Sequence, residues 1–446
     1  MSAGRLVRAR VDTPQSAGER WPGGAVWDGA GAPGPRPDVG HDPAQAPATG
    51  PLAGVRVVEL GHMIAGPFTT LLLSYFGAEV IKVESRHRMD GFRRREAATN
   101  YLTRAFGDFN RNKRSLTLNL QQPRGRELLG RLLARSDALL ENFSARVLPQ
   151  WGFDWPTLHR RYPRLVVVRM QGLGATGPHR DFVTFGPSIL ALTGFTYLWN
   201  ASGADEVVGS QTAHADYIAG VHAAVALMAG LHHRARTGEG LYVDLSQAEA
   251  TAALLGPAYL EWLLLGREAR PVGNTRREYA PGGCYRCAGE DEWCVITVRT
   301  EAEWEALVRA TGCTEWALDP RFRDRTQRTL HRQALDAALE AWTRRRPAAE
   351  VVRLLRAAGV PAGHVKKGSD LLADPHLRAR GFIHHVDHPA FRPISYPGAP
   401  VRLVGHAAVT RRPAPTLGQD TEAVLRDVLG LSAEEIERYR AEEVLV

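Results

Sequence analysis

Lysine is scarce in this 446-residue chain: of 56 basic side chains only Lys82, Lys113, Lys366 and Lys367 are lysine, and arginine supplies the other 52. Only four cysteines occur, too few for a disulfide-stapled scaffold of this length. The apolar runs are short as well. The longest, around 221–231 and 252–265, are interrupted by His, Gly, Pro or Glu, whereas a bilayer span needs about 20 apolar residues. The first residues carry no apolar signal-peptide core, which predicts a cytoplasmic protein without membrane contact. A formal charge of +8 over 446 residues is mild, and aromatic residues do not alternate with the basic ones, so no nucleic-acid footprint is expected. Arginine's planar fork suits carboxylate and phosphate ligands.

Familiar chemical motifs are missing too. No Walker phosphate loop, no GxGxxG fingerprint and no GxSxG nucleophile elbow is present; Gly172-Leu-Gly174-Ala-Thr-Gly177 lacks the dinucleotide-binding spacing. Cys284-Tyr-Arg-Cys287 has the spacing of half a zinc site. The surrounding GCYRCAGEDEWCVITV reads as a β-hairpin, in which residues three apart point to opposite faces. These cysteines are therefore expected to be structural thiols, and no metal site is expected.

What is present is an alternation of strand and helix. Residues 1–50, rich in Gly, Pro, Ala and Arg without an apolar period, are expected to be a disordered tail. The runs Val55–Leu60, Glu79–Glu84, Ser115–Leu120, Ala138–Glu141 and Leu165–Met170 read as buried strands, separated by helical stretches at 68–76, 124–134 and 145–151. This pattern predicts a doubly wound α/β fold with a parallel sheet. Further helices are expected over 187–192, 217–234 and 247–265, with a strand at 241–245. Residues 276–368 change texture, to a hairpin and polar amphipathic helices (301–311, 331–344, 348–358), and are expected to form a second, smaller α+β domain. The tail, 371–446, reads as Pro-punctuated loops and short strands.

In such sheets ligands bind beyond the carboxyl ends of the strands. That directs attention to Gly61–Gly66, to the basic segment 86–114, to Asn142–Phe143 and to Gln171–Pro178. Asn110-Arg111-Asn112-Lys113-Arg114-Ser115 could accept a phosphate-rich tail. In Thr212-Ala-His-Ala-Asp216-Tyr, Asp216 stands just ahead of a long apolar helix, an N-cap position. Capping alone accounts for such a residue, yet the helix terminus would also hold the carboxylate ionised, as a nucleophile requires. His214, two residues earlier, fits a packing role better than that of a base.

In their order and spacing, several segments together resemble one family. They are Pro51-Leu-Ala-Gly-Val-Arg-Val-Val-Glu59, Ala65-Gly-Pro67, Phe76-Gly-Ala-Glu-Val-Ile-Lys-Val-Glu84, Asn112-Lys-Arg-Ser115, Glu141-Asn-Phe143, Arg236-Thr-Gly-Glu-Gly240 and Pro413-Ala-Pro-Thr-Leu-Gly418. From about Pro51 to the C-terminus the chain resembles the class III CoA-transferases, which include formyl-CoA transferase, carnitine CoA-transferase and α-methylacyl-CoA racemase. The resemblance implies a large CoA-binding domain (51–265) completed by a returning C-terminal segment (371–446), with the small domain (276–368) between them. It implies an interlocked dimer, most simply a homodimer, with a heterodimer of homologues as the variant form. It implies coenzyme A as co-substrate with no prosthetic group, and an acyl-CoA and a carboxylic acid as partners. Asp216 matches the family's nucleophilic aspartate. Lys113, Arg114, Asn142 and Phe143, together with Arg111 and Gln171, are expected to hold CoA. A substrate pocket is expected from Met63, Ile64, Phe185 and Tyr217, with a glycine turn at Gly282 and Gly283 supplying oxyanion N–H groups. Two departures narrow the activity. Phe185 stands where the racemase branch has its histidine base, which favours transfer over α-proton abstraction. Ile64 stands where the formyl-CoA branch has glutamine, which disfavours oxalate or formate and suggests a bulkier, partly apolar acyl group. Racemisation and a non-catalytic CoA-binding subunit are the competing readings.

Overall fold

The computed structural model describes residues 50–93, 102–201, 203, 205–388, 391–406 and 409–446. The expected tail through residue 49, and Arg94 and Arg95 of the basic segment, lie outside the described residues.

The first half alternates as the pattern predicts. It runs β1 (Arg56–Glu59), α1 (Ala65–Tyr75), β2 (Glu79–Glu84), α2 (Arg104–Asn110), β3 (Arg114–Thr117), α3 (Pro123–Leu133), β4 (Ala138–Glu141), α4 (Val147–Gln150), α5 (Trp155–Arg161) and β5 (Val166–Arg169). Then follow α6 (Gly186–Leu192), α7 (Phe195–Leu198), α8 (His214–Thr237), β6 (Tyr242–Asp244), α9 (Gln247–Ala252) and α10 (Gly256–Leu265). The six strands form one parallel sheet in the order β3-β2-β1-β4-β5-β6. The strand order reverses between β1 and β4, so the loops after these two strands flank the switch-point crevice.

Adjacent residues on each strand serve opposite faces, as period-two geometry requires. Val58, Ile81, Leu139 and Val167 join Leu128, Leu132, Val424, Leu425 and Ile436 in one core. Val57, Val80, Leu140 and Val168 join Leu73, Ala219, Ala223 and Leu227 in the other. Small residues let α8 come close to its neighbours: a Cβ on Gly220 would lie 2.7 Å from Phe68 Cδ1, and one on Gly230 2.6 Å from Val166 Cγ1. Gly238, with φ 85°, ends α8 at the expected stop signal.

The third core is separate in composition. β7 (Gly282–Arg286) and β8 (Trp293–Thr297) form the expected hairpin, extended by β9 (Ala362–His364). Helices α11 (Glu301–Thr311), α12 (Glu315–Leu318), α13 (Arg325–Leu330), α14 (Arg332–Thr343) and α15 (Ala348–Ala357) surround it. Cys287 and Cys294 are buried within this core, and all four cysteines are free. Next come α16 (Gly368–Ala373), α17 (Pro375–Ala379) and the hairpin β10 (Ile383–His388) and β11 (Phe391–Pro397). The chain ends in α18 (Thr421–Asp427) and α19 (Ala433–Ala441), whose apolar residues enter the sheet core.

Several expectations need correction. The single helix over 247–265 is two, because Pro257 at the start of α10 has no N–H to continue the earlier turn. α2 lies inside what was expected to be a basic loop, started by Thr103, whose hydroxyl accepts the Phe106 N–H. The C-terminal segment carries α17, α18, α19 and the end of α16 besides its hairpin. The Ser432–Glu435 capping box at α19 was a readable signal.

Candidate active site

The switch-point crevice is built first by backbone. The loop after β1 turns sharply: Met63 adopts φ 64°, the left-handed region that side chains avoid. Asn142, just after β4, spans the crevice, accepting the His62 N–H at 2.8 Å and donating to the His62 carbonyl at 3.0 Å. The His62 ring meets the Phe143 ring edge-on at 5.2 Å, and Phe143 also meets Trp151. Burial and Lys82 both push His62 below its ordinary pKa.

Asp216 is the third residue of α8, not its cap; Ala213 precedes the helix without any side-chain cap. Two helix starts therefore converge on one carboxylate. The backbone N–H groups of Ala65, at the head of α1, and of Asp216 itself favour its charged form. Ile64, ahead of α1, has no capping side chain, which leaves the first N–H groups of α1 free of a local side-chain acceptor. Yet burial wins over these donors. The side chain is 9% exposed, and loss of water pushes its pKa up to about 6 against the lowering by the two N–H groups. Burial thus opposes the ionisation that the helix terminus was expected to favour.

Gly186, at the start of α6, closes the other side. A Cβ there would lie 2.2 Å from Asp216 Oδ2 and 2.9 Å from the Ala213 Cβ. The carboxylate is packed against bare backbone. Tyr217 meets Phe68 at 4.9 Å and Phe109 at 6.1 Å between ring centroids. His214 points elsewhere, its ring 5.3 Å from Trp199 and 5.6 Å from Phe195. Phe185 is 61% exposed immediately before Gly186.

The expected CoA-binding cations fare differently. Lys113 is fully buried, donating to Glu59 at 2.7 Å and to the Pro67 carbonyl and Asn110 at 2.9 Å. Desolvation lowers its pKa to about 8. Arg111 is also buried, bonded to Tyr75, the Asp108 carbonyl and the Pro397 carbonyl. Both charges are enclosed by protein acceptors. Arg114 is half-buried and paired with Glu79 at 2.7 Å. Gln171 donates to Glu141 at 2.6 Å, while its Oε1 is buried without a partner. Glu141 also accepts the Phe143 N–H at 2.7 Å and Arg169. Gly282 and Gly283 are strand residues of β7, paired with Thr297 and Ile296, not a free turn. Among the described residues no hydrogen bond joins them to Asp216.

Sequence reasoning missed Ala65 as a donor, Gly186 as a packing partner and the buried ions beneath the loop. A Gly-Pro pair at a helix start reads as a turn, and nothing local ties it to residue 216. Among the described residues no cluster of three or more His, Cys, Asp or Glu could hold a metal, and no helix is long and apolar enough to cross a membrane.

The chain is similar to known proteins over most of its length. The model of CoA-transferase family III matches residues 52–421. A probable CoA-transferase from Mycobacterium tuberculosis is 34% identical over 91% of this chain, which spans 52% of that protein. A succinyl-CoA–D-citramalate CoA-transferase from Chloroflexus aurantiacus is 34% identical over 89% of this chain and 98% of its own. The crystal structure of a CaiB/BaiF family protein from Brucella suis has a TM-score of 0.79 and 28% identity, covering 85% of this chain and 100% of that one. With its parallel sheet, its switch-point crevice and this extent of similarity, the chain belongs to CoA-transferase family III.

Proposed function

We propose that this protein transfers coenzyme A from an acyl-CoA donor to a free carboxylic acid, with Asp216 as the covalent nucleophile. The observation that carries the reading is a buried carboxylate packed on Gly186 and favoured in its charged form by the Ala65 N–H, with no salt bridge to it among the described residues. An ionised Asp216 attacks the thioester carbonyl, the C–S bond breaks, and CoA thiolate leaves an aspartyl–acyl anhydride. The thiolate then attacks the aspartyl carbonyl, releasing the donor acid and leaving an aspartyl-CoA thioester. The acceptor carboxylate attacks this thioester to give a second anhydride and thiolate. Attack of that thiolate on the acceptor carbonyl forms the new acyl-CoA and frees Asp216. One thioester replaces another, so the exchange is nearly balanced in energy, and the carboxylate divides it into easier covalent steps. The Ala65 N–H is placed to receive negative charge on the aspartyl oxygen. Asn142 and Phe143 line the crevice where the nucleotide of CoA would lie, and Gln171 Oε1 offers an unused acceptor.

Met63, Ile64, Phe185 and Tyr217 give the acyl end apolar surroundings. Relatives named for succinyl-CoA with D-citramalate or L-malate make succinyl-CoA and hydroxy-dicarboxylates the first substrates to test. A second chain is proposed to cover the apolar residues that α8 and α10 leave exposed, including Val225 at 57% and Leu264 at 76%; two L-malate relatives are named as alpha and beta subunits. Light scattering that reports a monomer at micromolar concentration would remove the dimer.

The test of the reaction is trapping. Incubation with acyl-CoA and hydroxylamine is expected to place a hydroxamate on the peptide containing Asp216. Labelling on another peptide, or none with any thioester screened, refutes the assignment.

A further inference from the structure

Beneath the crevice lies a group of ions that the proposed reaction does not use. Lys82 and Asp90 have fully buried side chains 3.0 Å apart. Leaving such a pair in a protein interior costs desolvation that burial of apolar residues would not, and the fold itself has apolar alternatives around it. What the pair holds is backbone. Lys82 Nζ donates to the Gly61 carbonyl at 2.6 Å and to Glu59 at 2.9 Å. Asp90 Oδ2 accepts the Met63 N–H at 3.2 Å, while its Oδ1 accepts the Phe92 N–H at 2.9 Å. Asn142 clamps the His62 peptide between them on both sides. Three consecutive peptides, 61 to 63, are thus each fixed by a side chain from another element. Two residues further on is Ala65, whose N–H favours the charged form of Asp216 and whose helix α1 is tied to α8 by Thr69 Oγ1 donating to the Gly220 carbonyl at 3.2 Å. Met63 at φ 64° is the strained point in this path, and non-glycine residues persist there only where surrounding contacts over-determine the backbone.

We propose that Lys82 and Asp90 are positioning residues that hold the loop Gly61–Ala65 in its strained turn, so that the Ala65 N–H stays on the Asp216 carboxylate. They act through backbone and touch no substrate. The inference rests on the reading of Asp216 as nucleophile for its kinetic consequence, but the geometry it asserts can be tested without turnover. No charged side chain sets the ionisation of Asp216; burial raises it and two backbone N–H groups oppose. Among the described residues Tyr217, next to it on α8, and beyond it Asp108 on α2 are titratable groups that share this region. Losing the Ala65 donor therefore moves the Asp216 titration upward.

The variant is Asp90→Asn in the full chain, which keeps the side-chain shape and leaves Lys82 its Glu59 and Gly61 partners. The expected results are an acylation rate lower by about tenfold with KM for the acyl-CoA little changed, and an Asp216 carboxyl titration, followed by carbon-13 NMR, moved up by about half a pH unit. An unchanged titration midpoint and an unchanged rate overturn the proposal even if the melting temperature falls, because the pair would then serve stability alone. Should the wild-type protein form no hydroxamate, the reading of Asp216 as nucleophile fails while the titration still decides this one. If Asp90→Asn does not fold, amide exchange in the wild type decides: Met63 and Ala65 protected like β1 support the clamp, and exchange as fast as an exposed loop overturns it.

Discussion

Gly186→Ala is the most direct perturbation of the site, because it adds one methyl group at a known distance. The new Cβ would sit 2.2 Å from Asp216 Oδ2 and 2.9 Å from the Ala213 Cβ. Position 186 lies outside the left-handed backbone region, so alanine carries no conformational penalty of its own. The clash is therefore the whole effect. Carbon–oxygen contact needs roughly 1 Å more than is available, and either the carboxylate or the start of α8 must move by that amount. A displacement of about 1 Å at reacting atoms costs on the order of 100-fold in rate, or about 2.7 kcal/mol of barrier. Overpacking of a rigid site costs a further 1–3 kcal/mol or so in stability. The assay is single-turnover acylation measured by hydroxamate trapping, alongside thermal unfolding. Gly368→Ala is the control, since a Cβ there meets nothing within 4 Å and its backbone is already helical; its acylation rate should match the wild type. Acylation by Gly186→Ala at the wild-type rate would show that the carboxylate is not held against this backbone when it reacts, and the site as described would fall.

Asp216→Asn should abolish transfer, with CoA affinity by calorimetry within a few-fold of wild type; transfer at more than a few per cent contradicts the nucleophile. With its carboxyl titrating at about 6, the wild-type acylation rate should rise with pH through that value and level off above it, whereas an ordinary aspartate would give a flat profile over the same range. The same shift bears on stability. The folded-state pKa lies above the ordinary 3.8, so between about pH 4 and 6 the folded chain holds a proton that the unfolded chain has released, and stability falls as pH rises across that window. Asp216→Asn should accordingly melt higher than wild type at pH 8, by up to about 3 kcal/mol, with little difference at pH 4; an equal or lower melting point at pH 8 refutes the burial argument. Lys113→Met removes a cation that neutralises Glu59 and should destabilise the fold by about 3 kcal/mol in denaturant titrations, with no selective loss of CoA affinity in the folded fraction.

Much of this fold is legible locally. Val57 and Val58, or Leu139 and Leu140, are strand residues whichever sheet they join, because a β-branched or apolar run bounded by Gly and charged residues has few other uses. Glu79–Glu84 and Ala138–Glu141 emerge with their expected limits, and Thr237-Gly238 ends α8 for reasons contained in four residues. Asp216 was legible as an acid near a helix start, though capping explained it equally well. The basic run Asn110–Ser115 shows the opposite case: a cluster that reads as a phosphate site places Lys113 against Glu59, on a strand two places away in the sheet.

Sequence alone determined the period of each element, the parallel alternation and the presence of a carboxylate at the head of an apolar helix, since these depend on neighbours within a few residues. Tertiary structure alone decided what surrounds that carboxylate. Ala65, Asp90 and Gly186 follow β1, β2 and β5, and only the strand order β2-β1-β4-β5 brings their segments together. Desolvation, which raises the Asp216 pKa and encloses Lys113, is a property of everything packed around a group, and no local stretch of chain contains it.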